Sequence, residues 1–490
     1  MNATNYTQLL QLALPQVIIV VTALVVMAVD LVALRKRPFR IRFTVATTLA
    51  SLGCAAAILR IVLVPAQANL FDGMLIANPL THLVQVALLV LTIFTLLLSA
   101  DSNFTEHIGE FVLLILVATA GMMFLVGTQD LLVIFISLEL LSLSLYVLAA
   151  FNKRSAQSWE AALKYFLFGG MSAAFLLFGF SLLYGLSNST SLTHIARSLH
   201  GPSLNPLLVI AIVTTAIGLG FKIAAAPFHF WAPDVYLGAP APSAAFIASS
   251  SKVASFFIFF QIMALGFVGA EGTAALPHLV RGWIPVLALM AALSMLLGNL
   301  VAIRQTSLRR LLAYSAIAHA GYMLLALVAH TQQSLTALLY YVLTYALATL
   351  GAFAIVGIVE KETGSDKLSS FEGLSRRAPA LSACLFIFIL SLAGIPPLAG
   401  FFGKFYLFLA TFNASHGLLW LVILAIATSA ISLYYYLQVL KRVFVTTPPA
   451  NAPNIPTPFL TKTIVVLLAA AVLLLGCAPN LLLHWIQSVC

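Results

Sequence analysis

Charged side chains are scarce in this chain: Asp, Glu, Lys and Arg make up 8% of its 490 residues, where a soluble domain carries about 25%. That scarcity excludes an ordinary water-soluble fold. Cysteine is scarcer still, with Cys54, Cys384, Cys477 and Cys490 each isolated and no CxxC or Cys–His spacing among them. Four such residues supply no ligand set for a metal ion or an iron-sulfur cluster and read as structural thiols. There is no Walker loop, no GxGxxG after a strand, no haem ligand set and no long polar segment to hold a nucleotide. No metal and no cofactor are therefore expected in this chain. Energy for any transport must come from a partner subunit or an ion gradient.

What the chain has in abundance is apolar sequence, 62% of the total. Runs of about 20 residues, long enough to cross a hydrocarbon core of roughly 30 Å, recur from end to end. The pattern predicts an all-α polytopic membrane protein with about 14 transmembrane helices. They fall at roughly 9–34, 43–64, 79–100, 110–128, 130–151, 161–186 and 206–238, then 243–268, 283–303, 308–328, 335–359, 379–412, 417–440 and 461–485. The first run has no basic residue ahead of it and is followed by "RKRPFRIR", so it reads as a retained anchor rather than a cleaved signal.

The net charge of +10 reports topology rather than nucleic acid, because cytoplasmic loops of membrane proteins are enriched in Lys and Arg. Loops after odd-numbered spans hold 17 of the 24 basic residues; loops on the other face hold two, Arg197 and Arg281. The split supports the helix count and predicts both termini on the non-cytoplasmic side.

Five basic residues stand outside that account: Arg60, Lys164, Lys222, Lys252 and Lys404. A charge at mid-bilayer costs at least about 2.5 to 3.5 kcal/mol, so intramembrane charges are rare and mark function. Glu139, in "FISLELLSLSLYVL", shares a helical face with Ser142 and Tyr146; Lys252 is flanked by Ser249 and Ser255, and His319 by Ser315 and Tyr322. Each ionisable group thus lies in a polar stripe that can hold water. Bland readings stand beside the functional ones. Arg60 is close enough to a helix end to snorkel, Lys164 can pair with Glu160 at i, i+4, and His319 fits a satisfied helix-contact histidine. His229 and Asp234 fit capping or loop anchoring.

The seventh and twelfth spans, 206–238 and 379–412, are each longer than a crossing needs and contain proline near the middle: Pro227 in one, Pro396 and Pro397 in the other. Proline removes a backbone donor and clashes with the preceding turn, which predicts discontinuous helices 7 and 12. Broken backbone at membrane depth survives only where it is buried in protein or lines a wet cavity. Each predicted break has a lysine beside it, Lys222 or Lys404. Glu139 precedes Lys222 by 83 residues and His319 precedes Lys404 by 85. The spacing suggests two inverted five-helix repeats, 110–270 (helices 4–8) and 271–442 (helices 9–13), after an N-terminal three-helix segment 1–109 and before helix 14 in 443–490.

Desolvation and an opposing carboxylate act on a buried ammonium in opposite senses and with comparable size, on the order of 2 kcal/mol or more. A lysine so placed gains or loses a proton when a neighbouring charge changes. Glu139, Lys222, Lys252, His319 and Lys404 therefore read as a proton relay across the middle of the membrane. The stretches "GLGFKIAAAPFHFWAPDVYLGAPAPSAAFIASSSK", "LRRLLAYSAIAHAGY" and "AGIPPLAGFFGKFY" resemble the antiporter-like, proton-pumping membrane subunits of respiratory complex I, over essentially the whole chain. The resemblance implies a coupling pair in Glu139 and Lys222, a functional place in the proton relay for Lys164 as the family's helix 6 lysine, a central transfer step at Lys252 and an exit-side position for Lys404. It also implies a bacterial inner-membrane location and partners among the other membrane-arm subunits and the lipid bilayer, with no nucleic acid. NADH, FMN, iron-sulfur clusters and quinone, a ubiquinone or a relative, would be held by partner subunits. The same buried lysines also suit a component of a multi-subunit sodium/proton antiporter or of a related hydrogenase membrane arm.

Overall fold

A computed structural model of the chain describes residues 3–65, 67–100, 104–199, 205–276, 278–449 and 453–489. The first half holds α1 (Ala3–Ala28, prolonged by a π-helical turn Val29–Ala33), α2 (Phe39–Leu63), α3 (Pro79–Ser99), α4 (Ile108–Val126), α5 (Leu131–Ala149), α6 (Ala156–Ser187) and the short α7 (Leu192–Ser198). Next come α8 (Pro206–Lys222), α9 (Trp231–Gly238), α10 (Ala241–Ala248) and α11 (Ser250–Gln261). The remainder is α12 (Trp283–Ala302), α13 (Leu308–Ala329), α14 (Gln332–Thr363), α15 (Leu374–Arg377), α16 (Pro379–Ala393), α17 (Ala399–Ala414), α18 (Leu419–Phe444), α19 (Phe459–Cys477) and α20 (Asn480–Val489). Among the described residues, 12 helical segments are long and apolar enough to cross a membrane, and two shorter apolar helices, Pro206–Lys222 and Pro379–Ala393, accompany them.

The helix ends follow local chemistry. Asn78 and Thr81 form a reciprocal capping box at the start of α3, with Pro79 at its first position. Asp130 accepts the free N–H groups of Leu132 and Val133 at the start of α5. The expected breaks are present: α8 ends at Lys222 and α9 starts at Trp231, and α16 stops at Ala393 before α17 starts at Ala399. Three features depart from the expectation. The eighth span is also interrupted, at Ser249 between α10 and α11. The expected last span 461–485 ends at Cys477, because Pro479 cannot continue the helix, and α20 follows as a separate amphipathic piece. Finally, a short antiparallel ribbon, Ala68–Leu70 against Leu75–Ala77, sits in the loop before α3.

Burial separates the helices by role. The α10–α11 segment and α13 are buried along almost their whole length, so they form the centre of the bundle. By contrast α6 presents Leu163, Phe166, Leu167, Met171 and Phe178 outward, the apolar face a bilayer accepts. Small residues let helices meet closely where lipid offers no competing hydrophobic drive. A Cβ at Gly298 of α12 would lie 2.5 Å from the backbone nitrogen of Ala318 in α13, and one at Gly321 would lie 2.8 Å from the Ala291 carbonyl.

One buried ion pair fixes the N-terminal helices. Asp30 is fully buried and receives both Nε (2.8 Å) and Nη2 (2.6 Å) of Arg42. The backbone N–H of Gly109 donates to the same carboxylate at 3.0 Å. Arg42, read from sequence as a topology residue, therefore also ties α1, α2 and α4 together.

Candidate functional site

The first break places Lys222 at the C-terminal end of α8, where it is buried. Its Nζ donates to Ser142 Oγ of α5 at 2.6 Å. Ser142 belongs to the Glu139 stripe, and Glu139, half-buried on α5, interacts electrostatically with Lys222. Ser142 lies one turn from Glu139 on the same helix, and its own hydroxyl donates to the Leu138 carbonyl, so the expected pair Glu139 and Lys222 meet electrostatically and not through a shared hydrogen bond. The freed backbone of the break is satisfied by side chains. Trp231 Nε1 donates to the Phe221 carbonyl at 2.9 Å, and the Ala226 N–H donates to Ser294 Oγ of α12 at 2.8 Å. Tyr165 of α6 stacks on Trp231 with centroids 4.4 Å apart, and Tyr146 meets Tyr165 edge-on at 4.8 Å.

Lys252 lies just after the Ser249 interruption and is almost fully buried. The flanking serines turn to their own segments: Ser249 and Ser255 donate to the Ala245 and Ser251 carbonyls. Instead Lys252 Nζ crosses to α13 and donates to the Ala316 carbonyl at 2.7 Å, with the Tyr345 ring centroid 5.5 Å away.

Lys404 is buried one and a half turns into α17. Its Nζ reaches back over the second break to the Ala393 carbonyl and across to Ser429 Oγ of α18, both at 2.9 Å. The Gly400 N–H at the start of α17 donates to Ser391 Oγ at 3.1 Å. Between Lys252 and Lys404 stands His319 of α13, buried and within electrostatic reach of both lysines. Its two ring nitrogens face the hydroxyls of Tyr341 (2.6 Å) and Tyr436 (3.2 Å).

Lys164 stands apart. It is 39% exposed and paired at 2.7 Å with both Glu160 and Asp234. Asp234 also faces Arg310 at 3.7 Å, so it anchors α9 to α6 and α13, in line with the anchoring reading. His229 lies in the first break with its Nδ1 unpartnered by protein. Arg60 reaches backbone carbonyls, Val64 at 2.9 Å and Gln11 at 3.2 Å, as a helix-end arginine does. Cys54 and Cys384 are buried free thiols and Cys477 is exposed; Cys490 lies outside the described residues. Among the described residues no cluster of three His, Cys, Asp or Glu side chains could hold a metal ion.

Sequence reasoning missed several participants. Ser429, Tyr341, Tyr345 and Tyr436 carry no local signal, because their partners lie on other helices. Arg309, counted as a loop cation, is almost fully buried; it donates to the Leu237 and Ala239 carbonyls (3.0 and 2.7 Å) at the end of α9 and pairs with Glu360. At this end of the bundle a cavity of about 1280 Å³ opens, with Arg40, Lys153 and Arg154 among its lining and Ala241 and Ala245 of α10 in its wall. The hydroxyls of Tyr236 and Ser243 in α9 and α10, and of Ser250 in α11, are buried without a protein partner. Buried groups of that kind are commonly satisfied by water.

Chemically, the three buried ammonium groups share one property. Each has three donors but only one or two neutral oxygen acceptors, and among the described residues none is in an ion pair. Such groups exchange protons more readily than ones locked to carboxylates.

Residues 128–432 match the family model described as NADH:quinone oxidoreductase/Mrp antiporter, TM. A protein of Acidobacterium capsulatum named NADH-quinone oxidoreductase subunit N 2 is 56% identical over 99% of this chain and 100% of its own length. NADH-quinone oxidoreductase subunit N of Desulforamulus reducens is 39% identical over 83% of this chain and 84% of its own. Among solved structures, a chain of respiratory complex I from Thermus thermophilus with bound aureothin superposes with a TM-score of 0.79 at 37% identity, covering 96% of this chain and 98% of that one. A chain of the Mrp complex from Dietzia sp. gives a TM-score of 0.82 at 20% identity, covering 98% and 97%, a likeness of fold alone.

Proposed function

We propose a proton relay for this chain from the premise that it belongs to the subunit N family of NADH-quinone oxidoreductases. As such it is an antiporter-like membrane subunit of complex I. The proposal is that protons cross the bundle through Glu139, Lys222, Lys252, His319 and Lys404 in series, with Lys164 modulating the first pair from the bundle's flank. The observation that carries it is the set of three buried lysines, each held by neutral oxygens of a facing or preceding helix, two of them beside the proline-containing breaks and Lys252 just after the interruption at Ser249.

The finer architecture belongs to the same reading. The chain crosses a bacterial inner membrane 14 times, with both termini on the non-cytoplasmic face. Residues 110–270 and 271–442 are inverted repeats between an N-terminal three-helix segment and the final helix. In that arrangement Lys222 closes the first half-helix of its span, while Lys404 lies in the second half-helix of its own. The partners are neighbouring antiporter-like and other membrane-arm subunits. NADH, FMN, iron-sulfur clusters and quinone are held by partner subunits, so this chain performs the translocation that their electron transfer drives. The sodium/proton antiporter reading is not carried forward, since the relatives that match at high identity are named as NADH-quinone oxidoreductase subunits.

Lys222→Ala in the assembled complex tests the relay. Proton uptake into vesicles and NADH-driven quinone reduction are expected to fall together, because the two processes are coupled. Unchanged pumping would remove Lys222 from the path.

A further inference from the structure

Among the described residues neither Lys252 nor Lys404 is paired with a carboxylate, yet hydroxyls lie on both sides of His319. Tyr341 of α14 meets Nδ1 at 2.6 Å and Tyr436 of α18 meets Nε2 at 3.2 Å, all three side chains buried. Tyr436 hydroxyl is in turn hydrogen-bonded to Ser315 Oγ of α13. Ser315 adjoins Ala316, whose carbonyl holds the Lys252 ammonium. On the other side, the Tyr341 ring packs against Gly403, where a Cβ would come within 2.3 Å of it, and Gly403 adjoins Lys404. The ring of His319 also lies edge-on to Tyr322, whose face carries the Lys404 ammonium at 5.2 Å.

We propose that Tyr436, His319 and Tyr341 form a hydroxyl–imidazole–hydroxyl wire that passes the proton between Lys252 and Lys404. The inference rests on the relay reading above and assigns the step that reading leaves open. A neutral imidazole has one N–H and one lone pair, whereas a tyrosyl hydroxyl both donates and accepts. In the loaded arrangement Tyr436 donates to Nε2 and Nδ1–H donates to Tyr341. A proton arriving from the Lys252 side bonds to the Tyr436 oxygen as that oxygen's own proton moves to Nε2. The Nδ1–H bond breaks toward the Tyr341 oxygen, and the proton of Tyr341 leaves toward Lys404. One proton enters and one leaves, no electron moves, and the ring ends in its other tautomer. Rotation of the two hydroxyls and exchange of the ring's proton with water, which takes the proton from Nε2 and returns one to Nδ1, reset the wire with no net proton carried back. Both ring nitrogens are satisfied before and after transfer, so the buried imidazole need not stand unpaired in either state.

The geometry also explains why Gly403 is a glycine: a side chain there would push Tyr341 off the ring nitrogen. The hydroxyls, rather than the aromatic bulk, carry the function, and that separates this role from packing.

The test uses the assembled complex in native membrane vesicles. Tyr341→Phe and Tyr436→Phe remove one oxygen each and keep the ring. Each is expected to lower NADH-driven proton uptake by at least about tenfold, as loss of a positioned proton-transfer group does. NADH oxidation by a soluble artificial acceptor is expected to stay at the wild-type rate. Because the two hydroxyls act in series, the double variant should be no slower than the worse single one, and the solvent deuterium isotope effect on the residual rate should differ from wild type. If a Phe variant fails to assemble, Ser315→Ala, which removes only the outer partner of Tyr436, is measured in its place, with a severalfold loss expected. Wild-type pumping in both Phe variants, alongside loss of pumping in Lys252→Ala, would overturn the wire and leave the lysine relay standing. Wild-type pumping in Lys252→Ala and Lys222→Ala as well would overturn the relay itself.

Discussion

Ser142→Ala isolates the hydrogen bond that holds Lys222, a member of the proposed relay, on the helix that carries Glu139. Ser142 Oγ is the acceptor of Lys222 Nζ, at 2.6 Å in a buried site. A hydrogen bond to a charged group contributes about 1.5 to 3 kcal/mol, which corresponds to roughly 10- to 150-fold in a rate or equilibrium that depends on it. Alanine removes the oxygen and leaves space for a water, which recovers part of that energy. The expected loss therefore sits at the low end, about tenfold in NADH-driven proton uptake, with quinone reduction slowed in parallel. Ser142→Thr keeps the hydroxyl and should restore most of the rate. Vesicles holding the assembled complex, with a pH-sensitive dye inside and NADH outside, report both quantities from one sample. If Ser142→Ala pumps at the wild-type rate while Lys222→Ala does not, the serine does not position Lys222 and the reasoning from this contact is wrong.

Two further outcomes are expected. Lys164→Ala should cost less than about 1 kcal/mol of stability per ion pair lost, because exposed pairs are weak and Lys164 is 39% exposed, and it should slow proton uptake far less than Lys222→Ala; an equal loss would place Lys164 on the path itself. Asp30→Ala leaves Arg42 without its bidentate partner and the Gly109 N–H without an acceptor. About 3 kcal/mol of destabilisation follows from breaking a buried pair, read as faster thermal inactivation of the purified complex, and a wild-type inactivation rate would contradict it.

The sequence made the spans, the two proline-containing breaks and the isolated charges legible, because each leaves a local mark. An apolar run, a Pro227 or a Pro396–Pro397 pair, and a lysine inside such a run are all visible within about 20 residues. The third break was hidden, since Ser249 adopts a non-helical backbone (φ −111°, ψ −82°) with no proline or glycine at that position. Lateral chemistry was hidden for a different reason. The serine stripe beside Lys252 was legible as a face of polar side chains, yet those serines donate to carbonyls of their own segment and the lysine finds α13 instead. Tyr436 is 121 residues from Ser315 and 117 from His319, so periodicity along one helix cannot reveal their meeting. Asp30 and Arg42 are only 12 residues apart, but the pair is made across a turn between two helices, and its burial depends on α4 closing over it.

The three lysines are not electrostatically equivalent, and the difference follows from where their acceptors lie. Lys222 is the final residue of α8, and the Lys404 ammonium bonds to Ala393, the final residue of α16. The Lys404 ammonium therefore sits at the C-terminal end of a half-helix, where the helix dipole presents about half a negative charge, and Lys222 is itself the last residue of another. Each also has a serine hydroxyl as acceptor. Lys252 has neither: its acceptor, the Ala316 carbonyl, lies in the interior of α13, where that oxygen already serves the helix and no net terminal charge is available. Helix breaks thus create carbonyl-rich ends beside Lys222 and Lys404, whereas Lys252 is held by a carbonyl from the interior of a helix. In the proposed relay a proton would meet a well-held site, a poorly held one and a second well-held one. The middle lysine would then be the step most sensitive to its surroundings, with the hydroxyls bonded to His319 between it and the last lysine.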